Sequence, residues 1–236
     1  MSIYDVSEYQ GDINFSELNA DLVIVRVQAG STHEDTKHKQ NEQGLKANHI
    51  PFGSYAFGRF VSVSDAIVEA NDFYARSDKS SLFYVVDVET VCTRSVQDLV
   101  SATQAFIDRL KALSGKKVGL YSGEYFYQSH AFDKIRCDFR WIAKYSSTKP
   151  SVPCDLWQFT ESTKIPAITA NTVDESRLTG TKPLSFFVPE TTYTVQSGDT
   201  LSGIAAKEHE TLQQIEAKNP QIQDPNKIYV GEKINV

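Results

Sequence analysis

The chain has few of the residues that build disulfide or metal sites. Its three cysteines, Cys92, Cys137 and Cys154, are odd in number and far apart, so we expect reduced thiols rather than a disulfide framework. The five histidines are scattered, with no pair at helical spacing, which argues against metal ligation. We therefore expect neither a metal nor any other cofactor.

Long apolar runs and an excess of positive charge are lacking too. No stretch approaches the ~20 apolar residues of a membrane-spanning helix, so we expect no membrane insertion. The 24 basic and 30 acidic residues give a formal charge of -6, without a basic stripe for phosphate contacts, so nucleic acid is not an expected partner. The first residues have neither a basic region nor an apolar core, and we expect no signal peptide.

Up to about residue 178, the sequence alternates between strand-like and helix-like segments. Such alternation predicts a parallel sheet with right-handed crossovers. Seven or eight strands favour closure into a barrel. The expected fold class is α/β, an irregular (β/α) barrel with reduced helices in its later part. After the first strand, the predicted strands span residues 22–27, 51–57, 82–89, 117–121, 139–143, 155–159 and 172–174.

Two of the predicted helices carry specific end signals. Ser95 and Asp98 form a capping box that begins one helix, and Gly115 stands where its C-terminal cap belongs. An earlier helix is expected to begin at a Ser64 cap. The apolar face predicted for that earlier helix comprises Ile67, Ala70, Phe73 and Tyr74.

The C-terminal part of the chain reads as a separate small module. Residues 181–191 contain two prolines and no periodicity, which predicts a linker. After it, a strand, two helices and a final strand are expected, the second helix beginning at a Thr211–Gln214 capping box. We therefore predict a barrel domain over residues 1–180, a linker over 181–191 and a small α+β (βααβ) module over 192–236.

The strongest chemical feature is a pair of carboxylates at the end of a buried strand. Residues 82–88 are apolar except for Asp87, and Glu89 follows two positions later. Side chains alternate along a strand, so these two must share a face, with Cα atoms about 6.6 Å apart. Two carboxylates at such a separation can flank a glycosidic bond as acid and base or nucleophile.

Other polar and aromatic residues are expected at the same end of the barrel, where the active sites of parallel barrels lie. Asp5 and Asp174 follow the first and last strands. Clustered carboxylates raise one another's pKa, which lets one stay protonated while another is ionised. The alternative is that the acids are solvated strand-end residues and the aromatics are core. The aromatic residues predicted to bind substrate at this end are Tyr55, Phe57, Tyr121 and Trp141.

Six segments of the first domain resemble family 25 glycoside hydrolases, the lysozymes also called N-acetylmuramidases. In order along the chain, they are DVSEYQG at 5–11, YVVDVE at 84–89, GLYS at 119–122, WIAKY at 141–145, LWQF at 156–159 and VD at 173–174. Departures from the family pattern occur at residues 26–30, at Ala56 and at residues 175–177. These departures concern subsite contacts more than the chemistry.

The resemblance implies hydrolysis of the β-1,4 bond from N-acetylmuramic acid to N-acetylglucosamine in bacterial peptidoglycan. It implies that Glu89 donates the proton to the leaving oxygen. Asp5, Asp87 and Asp174 match the other family carboxylates, which would stabilise the transition state, position water or orient the acetamido group. Inverting, retaining and acetamido-assisted mechanisms all remain open, because the carboxyl separation decides between them.

The C-terminal module resembles a LysM domain through YTVQSGDTL at 193–201 and IYVG at 228–231. The resemblance implies a shallow groove for glycans that contain N-acetylglucosamine. The glycan contacts that it implies are Gly198, Asp199, Thr200, Leu201, Asn226, Ile228 and Tyr229.

Together, the two resemblances and the absence of a leader predict an endolysin of phage or prophage type. Such an enzyme accumulates in the host cytoplasm, passes through a holin pore and lyses the cell wall. Two alternatives are retained: a non-catalytic cell-wall-binding protein with a degenerate barrel, and a chitin-directed glycosidase.

Overall fold

Eight strands close a barrel in the first part of the chain. A computed structural model describes residues 1–208 and 210–236. Around the barrel the strand order is β1-β2-β4-β5-β6-β7-β8-β9, and β9 pairs with β1 to complete the ring. A two-residue strand, β3 (His33–Glu34), is added beside β2. The barrel strands are β1 (Ile3–Val6), β2 (Leu22–Ala29), β4 (Phe52–Phe57), β5 (Tyr84–Asp87), β6 (Val118–Gly123), β7 (Phe139–Ala143), β8 (Leu156–Ile165) and β9 (Ile168–Leu178).

The last barrel strand runs in the opposite direction to its neighbours. The pairings from β1 through β2, β4, β5, β6 and β7 to β8 are parallel, whereas β9 is antiparallel to both β8 and β1. The expectation of a wholly parallel sheet is therefore wrong at this strand. The physical reason is the connection: two residues separate β8 from β9, and so short a turn joins only antiparallel strands.

The outer helices are reduced in the later part of the barrel, as predicted. Three long helices cover the first half of the barrel, and only short ones follow. Within the described residues, no helix is both long and apolar enough to cross a bilayer. The helices of this part are α1 (His38–Ala47), α2 (Val63–Arg76), α3 (Val96–Ser114), α4 (Glu124–Ser129) and α5 (Leu184–Phe187).

The helix ends agree with the sequence for α3 but not for α2. Ser95 caps α3 and Gly115 ends it in the left-handed conformation, but the predicted capping box is incomplete, because Asp98 Oδ2 accepts from the Ser95 hydroxyl and not from its backbone N–H. The cap of α2 is Ser62 rather than Ser64, because only Ser62 has extended backbone with its hydroxyl accepting from the third residue of the helix. The predicted apolar face is also wrong at Ile67, which is exposed. The buried positions of α2 are Ala66, Glu69, Ala70 and Phe73.

Aromatic packing ties the residues after β9 to the barrel. Phe187 of α5 is buried, with its ring centroid 5.6 Å from that of Phe83 and 5.0 Å from that of Phe139. Phe139 in turn lies against Gly119, where an added Cβ would be 2.4 Å from the ring. The chain accordingly divides into two units, residues 1–187 and 188–236, so α5 falls within the stretch predicted as linker. The boundaries at 180 and 192 stay predictions.

The second unit has the predicted βααβ order. Strand β10 (Thr192–Thr194) pairs antiparallel with β11 (Lys233–Asn235), and the two helices are α6 (Leu201–Lys207) and α7 (Leu212–Lys218). The Thr211–Gln214 capping box is present at the start of α7. The buried core of this unit comprises Val195, Leu201, Ile204, Ala205, Ile215 and Ile234.

Candidate active site

Closure of the barrel brings the four predicted carboxylates to one end. Asp5 of β1 and Asp174 of β9 are direct cross-strand partners. Asp87 is the last residue of β5 and lies in register with Phe57 of β4 on one side and Tyr121 of β6 on the other. The four acids interact with one another, because Glu89 raises the pKa of both Asp5 and Asp87.

The four acids differ in their access to solvent. Asp5 and Asp87 are buried, at 5% and 4% exposure, and Asp174 is half-buried. Glu89 is exposed, because it stands two residues beyond the end of β5. Asp87 Oδ1 has no hydrogen-bond partner among the described residues. The site therefore has a buried floor of carboxyl groups and one acid at its open rim.

The carboxyl groups form two contacting pairs that favour protonation. Burial, and next the charge of Asp174, raise the pKa of Asp5, while Asp5 and Asp174 share a hydrogen bond. Burial raises the pKa of Asp174 to about 6. Burial and then the charge of Glu89 raise the pKa of Asp87, and the same two side chains share a hydrogen bond. Each pair can thus hold one proton near neutral pH.

Glu89 combines exposure with a raised pKa. Although the residue as a whole is exposed, burial of its carboxyl group raises its pKa, and the hydrogen bond with Asp87 offsets part of this rise. A carboxylic acid that remains protonated at higher pH and faces the solvent can donate its proton to a bound substrate.

Gln158 is a site residue that sequence reasoning missed. Its Nε2 donates to Asp5 Oδ2 at 3.0 Å and to Asp174 Oδ2 at 3.3 Å. Its Oε1 accepts from the hydroxyl groups of Tyr121 at 2.8 Å and Tyr145 at 3.1 Å. A sequence signal existed, because Gln158 is the one polar residue in the otherwise apolar segment 156–159 at the start of β8. In the structure its side chain is 1% exposed.

The four predicted aromatic residues separate into two layers. Trp141 is only 1% exposed, its Nε1 donates to Ser176 Oγ at 2.9 Å, and its ring lies 4.5 Å from that of Tyr121. Both are therefore interior residues in the free protein. Tyr55 and Phe57 are half-buried at the same end of the barrel. The ring of Tyr55 packs edge-on to Trp141, at 6.1 Å between centroids.

A polar cleft of about 530 Å³ opens beside the carboxylates. Its lining includes residues of β8 and β9 together with Arg26 and Tyr9, whose ring lies 4.7 Å from the Arg26 guanidinium. Arg26 is paired with Glu8 at 3.0 Å and with Asp35 at 2.9 Å. The cleft is therefore lined by paired charges and aromatic faces, and it reaches Asp5 and Asp174 at its base.

The predicted glycan contacts of the second unit have different local roles. Asp199 accepts from Gln196 N at 2.7 Å and from the Tyr193 hydroxyl at 2.9 Å, and Thr200 caps α6. Leu201 is buried and Ile228 is half-buried against the same core. Gly198 and Asn226 are exposed, and Tyr229 is 69% exposed.

No group suited to hold a metal ion occurs among residues 1–208 and 210–236. His209, one of the five histidines considered in the sequence, lies outside the described residues.

Comparisons with known proteins agree with both units. The profile of glycosyl hydrolases family 25 matches residues 4–168, and the LysM domain profile matches residues 193–236. An autolytic lysozyme of Clostridium acetobutylicum is 24% identical over 174 residues, which cover 71% of this chain and 52% of that protein. An endolysin of Bacillus phage B103 is 51% identical over 45 residues, covering 19% of this chain and 17% of that protein. The chain thus spans about half the length of the first of these relatives, and less of the second.

The fold is also similar to that of a solved endolysin domain. The catalytic domain of endolysin ply40, from bacteriophage P40 of Listeria monocytogenes, superposes with a TM-score of 0.72 at 34% sequence identity. This similarity covers 76% of the present chain and 93% of the solved one. The comparison therefore extends over nearly the whole solved catalytic domain.

Proposed function

The chain belongs to family 25 of the glycosyl hydrolases, and from this premise we propose that its barrel hydrolyses the β-1,4 bond between N-acetylmuramic acid and N-acetylglucosamine in bacterial peptidoglycan. The observation that carries the proposal is the convergence of Asp5, Asp87, Glu89 and Asp174, with raised pKa values, at one end of the barrel, where Asp5 and Asp174 line a polar cleft. Glycoside cleavage requires one carboxylic acid and one carboxylate at the scissile bond.

The positions of the acids suggest their roles. Glu89 is exposed and donates its proton to the glycosidic oxygen as the bond from the anomeric carbon breaks. Asp87 lies beneath Glu89, contacts its carboxyl group and orients it. Positive charge that develops on the sugar ring is stabilised by the Asp5–Asp174 pair, which lines the cleft and shares one proton.

The second unit is proposed to hold the enzyme on its substrate. Tyr229 presents an exposed ring for stacking against a sugar, and Gly198 and Asn226 leave polar backbone and side-chain groups exposed. Asp199 and Thr200 shape the turn before α6, and Leu201 and Ile228 support it from below. A tethered glycan binder raises the local concentration of substrate at the barrel.

The biological setting that we propose is lysis of a host cell wall by a phage or prophage endolysin. The relatives named endolysin and autolytic lysozyme support this setting, as does the pairing of a barrel with a LysM domain. On this proposal, the protein accumulates in the host cytoplasm and is released to the wall through a holin pore.

The test compares the unmodified protein with Glu89→Gln on purified peptidoglycan, with analysis of the new reducing ends. We expect reducing muramic acid from the unmodified protein, and a loss of about 100-fold or more in Glu89→Gln because the proton donor is gone. Glu17→Gln, which alters an exposed carboxylate on the short helix after Asn14, is the matched control and should keep full activity.

The other outcomes contradict the proposal in distinct ways. Equal activity of Glu89→Gln refutes the role of Glu89. If these proteins bind peptidoglycan but none of them releases new reducing ends, the cell-wall-binding alternative is favoured. Release of N-acetylglucosamine reducing ends, with cleavage of chitin oligomers, favours the chitin-directed glycosidase.

A further inference from the structure

The Gln158 amide uses all of its hydrogen-bonding capacity within the site. A glutamine side chain has two N–H donors and one oxygen with two acceptor positions. Here the donors reach one oxygen of Asp5 and one of Asp174, and the acceptor positions receive two tyrosine hydroxyl groups. The amide is buried, so water does not replace any of these partners readily.

The surroundings fix which way the amide points. In the opposite orientation, Gln158 Oε1 would face the oxygens of Asp5 and Asp174 and would repel them. The hydroxyl groups of Tyr121 and Tyr145 donate to Oε1 and thereby hold it on the far side. The amide N–H groups are consequently always presented to the two acids.

We propose that Gln158 is a positioning residue that holds Asp5 and Asp174 side by side in a geometry that lets one of them remain ionised, and that Tyr121 and Tyr145 fix its orientation. The inference rests on the proposed function, because it assigns an indirect role in the same site. Gln158 acts through the two acids rather than through the substrate.

Gln158 is the hydrogen-bond donor that stabilises the ionised form of Asp5, which the other surroundings of Asp5 disfavour. Burial, Asp174 and Glu89 all raise the pKa of Asp5, and the Gln158 hydrogen bond lowers it. Arg26 is the cation of the cleft, and it is paired with Glu8 and Asp35. The other titratable groups that face this pair are Tyr55 on β4, Asp87 and Glu89 at the end of β5, Tyr121 on β6, Tyr145 after β7 and Glu161 on β8.

The effect of removing Gln158 has a defined sign. A hydrogen bond to a carboxylate stabilises its charged form, so its loss raises the pKa of the acid pair. If activity needs one ionised member, the acidic limb of the pH profile moves to higher pH. The free energy of a charge-assisted hydrogen bond corresponds to a shift of this limb by about one pH unit or more.

The experiment compares Gln158→Met, Tyr145→Phe and the unmodified full chain. Gln158→Met keeps the side-chain length without the amide, and Tyr145→Phe removes one hydroxyl group while keeping the ring. Two readouts are needed: the pH profile of kcat and KM for peptidoglycan release, and NMR titration of carbon-13-labelled Asp carboxyl groups. Gln43→Met, on the exposed face of α1, is the matched control and should match the unmodified protein.

We expect Gln158→Met to lower kcat about tenfold or more and to leave KM nearly unchanged. The acidic limb of the pH profile and the NMR titration of the Asp carboxyl groups should both move to higher pH. Tyr145→Phe should shift both in the same direction by a smaller amount. An unchanged pH limb and carboxyl titration in both variants would overturn the inference. The NMR titration does not depend on substrate, so failure of the unmodified protein to cleave peptidoglycan would refute the proposed function separately. If Gln158→Met does not fold, Tyr145→Phe still decides the outcome.

Discussion

Glu69 provides a quantitative test of how a buried carboxyl group affects the stability of the barrel. It lies on the inner face of α2, is 3% exposed, and accepts a hydrogen bond from the Arg59 backbone N–H at 3.1 Å. Burial raises the pKa of Glu69 from 4.5 to about 7, and the nearby charge of Asp65 adds to this effect. The perturbation is Glu69→Gln, which keeps an oxygen acceptor for Arg59 and removes the ionisable group.

The magnitude follows from the difference between the folded and unfolded pKa values. The folded state keeps the proton of Glu69 up to about pH 7, whereas the unfolded state releases it near 4.5. The stabilisation of the folded state by protonated Glu69 is therefore fully present below pH 4.5 and is lost as the pH rises through 7. A difference of about 2.5 pH units corresponds to about 3 kcal/mol of unfolding free energy.

Tryptophan fluorescence can measure this effect for the barrel alone. The chain has two tryptophans, Trp141 and Trp157, and both lie in the first unit. Urea unfolding followed at about pH 5 and about pH 8.5 gives the free energy of unfolding at each pH. Because the unfolded-state carboxyl group is already partly ionised at about pH 5, we expect the loss of stability between these two pH values to be smaller in Glu69→Gln by about 2.5 kcal/mol.

The comparison across pH separates ionisation from packing. Any change in packing adds a constant offset to Glu69→Gln, and the other buried acids titrate equally in both proteins. Glu17→Gln, at an exposed position, should show the pH dependence of the unmodified protein. A pH dependence in Glu69→Gln identical to that of the unmodified protein would refute the reasoning.

Three further predictions concern the barrel. His38 is buried between two carboxylates, which raise its pKa above 6.5 although burial alone would lower it. Protonated His38 therefore stabilises the folded state fully below pH 6.5, and this stabilisation is lost as the pH rises through the pKa of His38 in the folded protein. Urea unfolding should therefore show that His38→Asn destabilises the barrel more at acidic than at alkaline pH. A chain ending at Phe187 should keep the barrel stability, whereas one ending at Gly180 should lose about 3 kcal/mol or more, since it lacks the Phe187 packing; equal melting temperatures would place the boundary at 180. Gly119→Ala should cost about 1–3 kcal/mol because its Cβ meets the Phe139 ring at 2.4 Å, and unchanged urea unfolding would contradict that packing.

Much of the barrel could be predicted because its signals are local. The segment 139–143 coincides with β7, and the α3 cap at Ser95 and its end at Gly115 are as expected. Carboxylates that follow buried strands could be grouped at one end because parallel strands place their ends together. These inferences depend on residues within a few positions of one another.

The errors arise where a nonlocal contact outweighs a local pattern. Ile67 fits an apolar helix face, but the face turned to the barrel lies one residue earlier, at Ala66. Strand β9 follows a tight hairpin, which the alternation of strands and helices did not reveal.

By itself, the sequence determined the barrel class, the two-unit order and the acids to consider, because these follow from periodicity, strand ends and motifs along the chain. Only the tertiary structure decided how the acids differ, because β9 closes the barrel against β1 and places Asp174 beside Asp5. The same closure brings Gln158 to Asp5, 153 positions away in the chain. Which acid is buried, which is exposed and which shares a proton depends on packing between distant strands, and no local pattern encodes that packing.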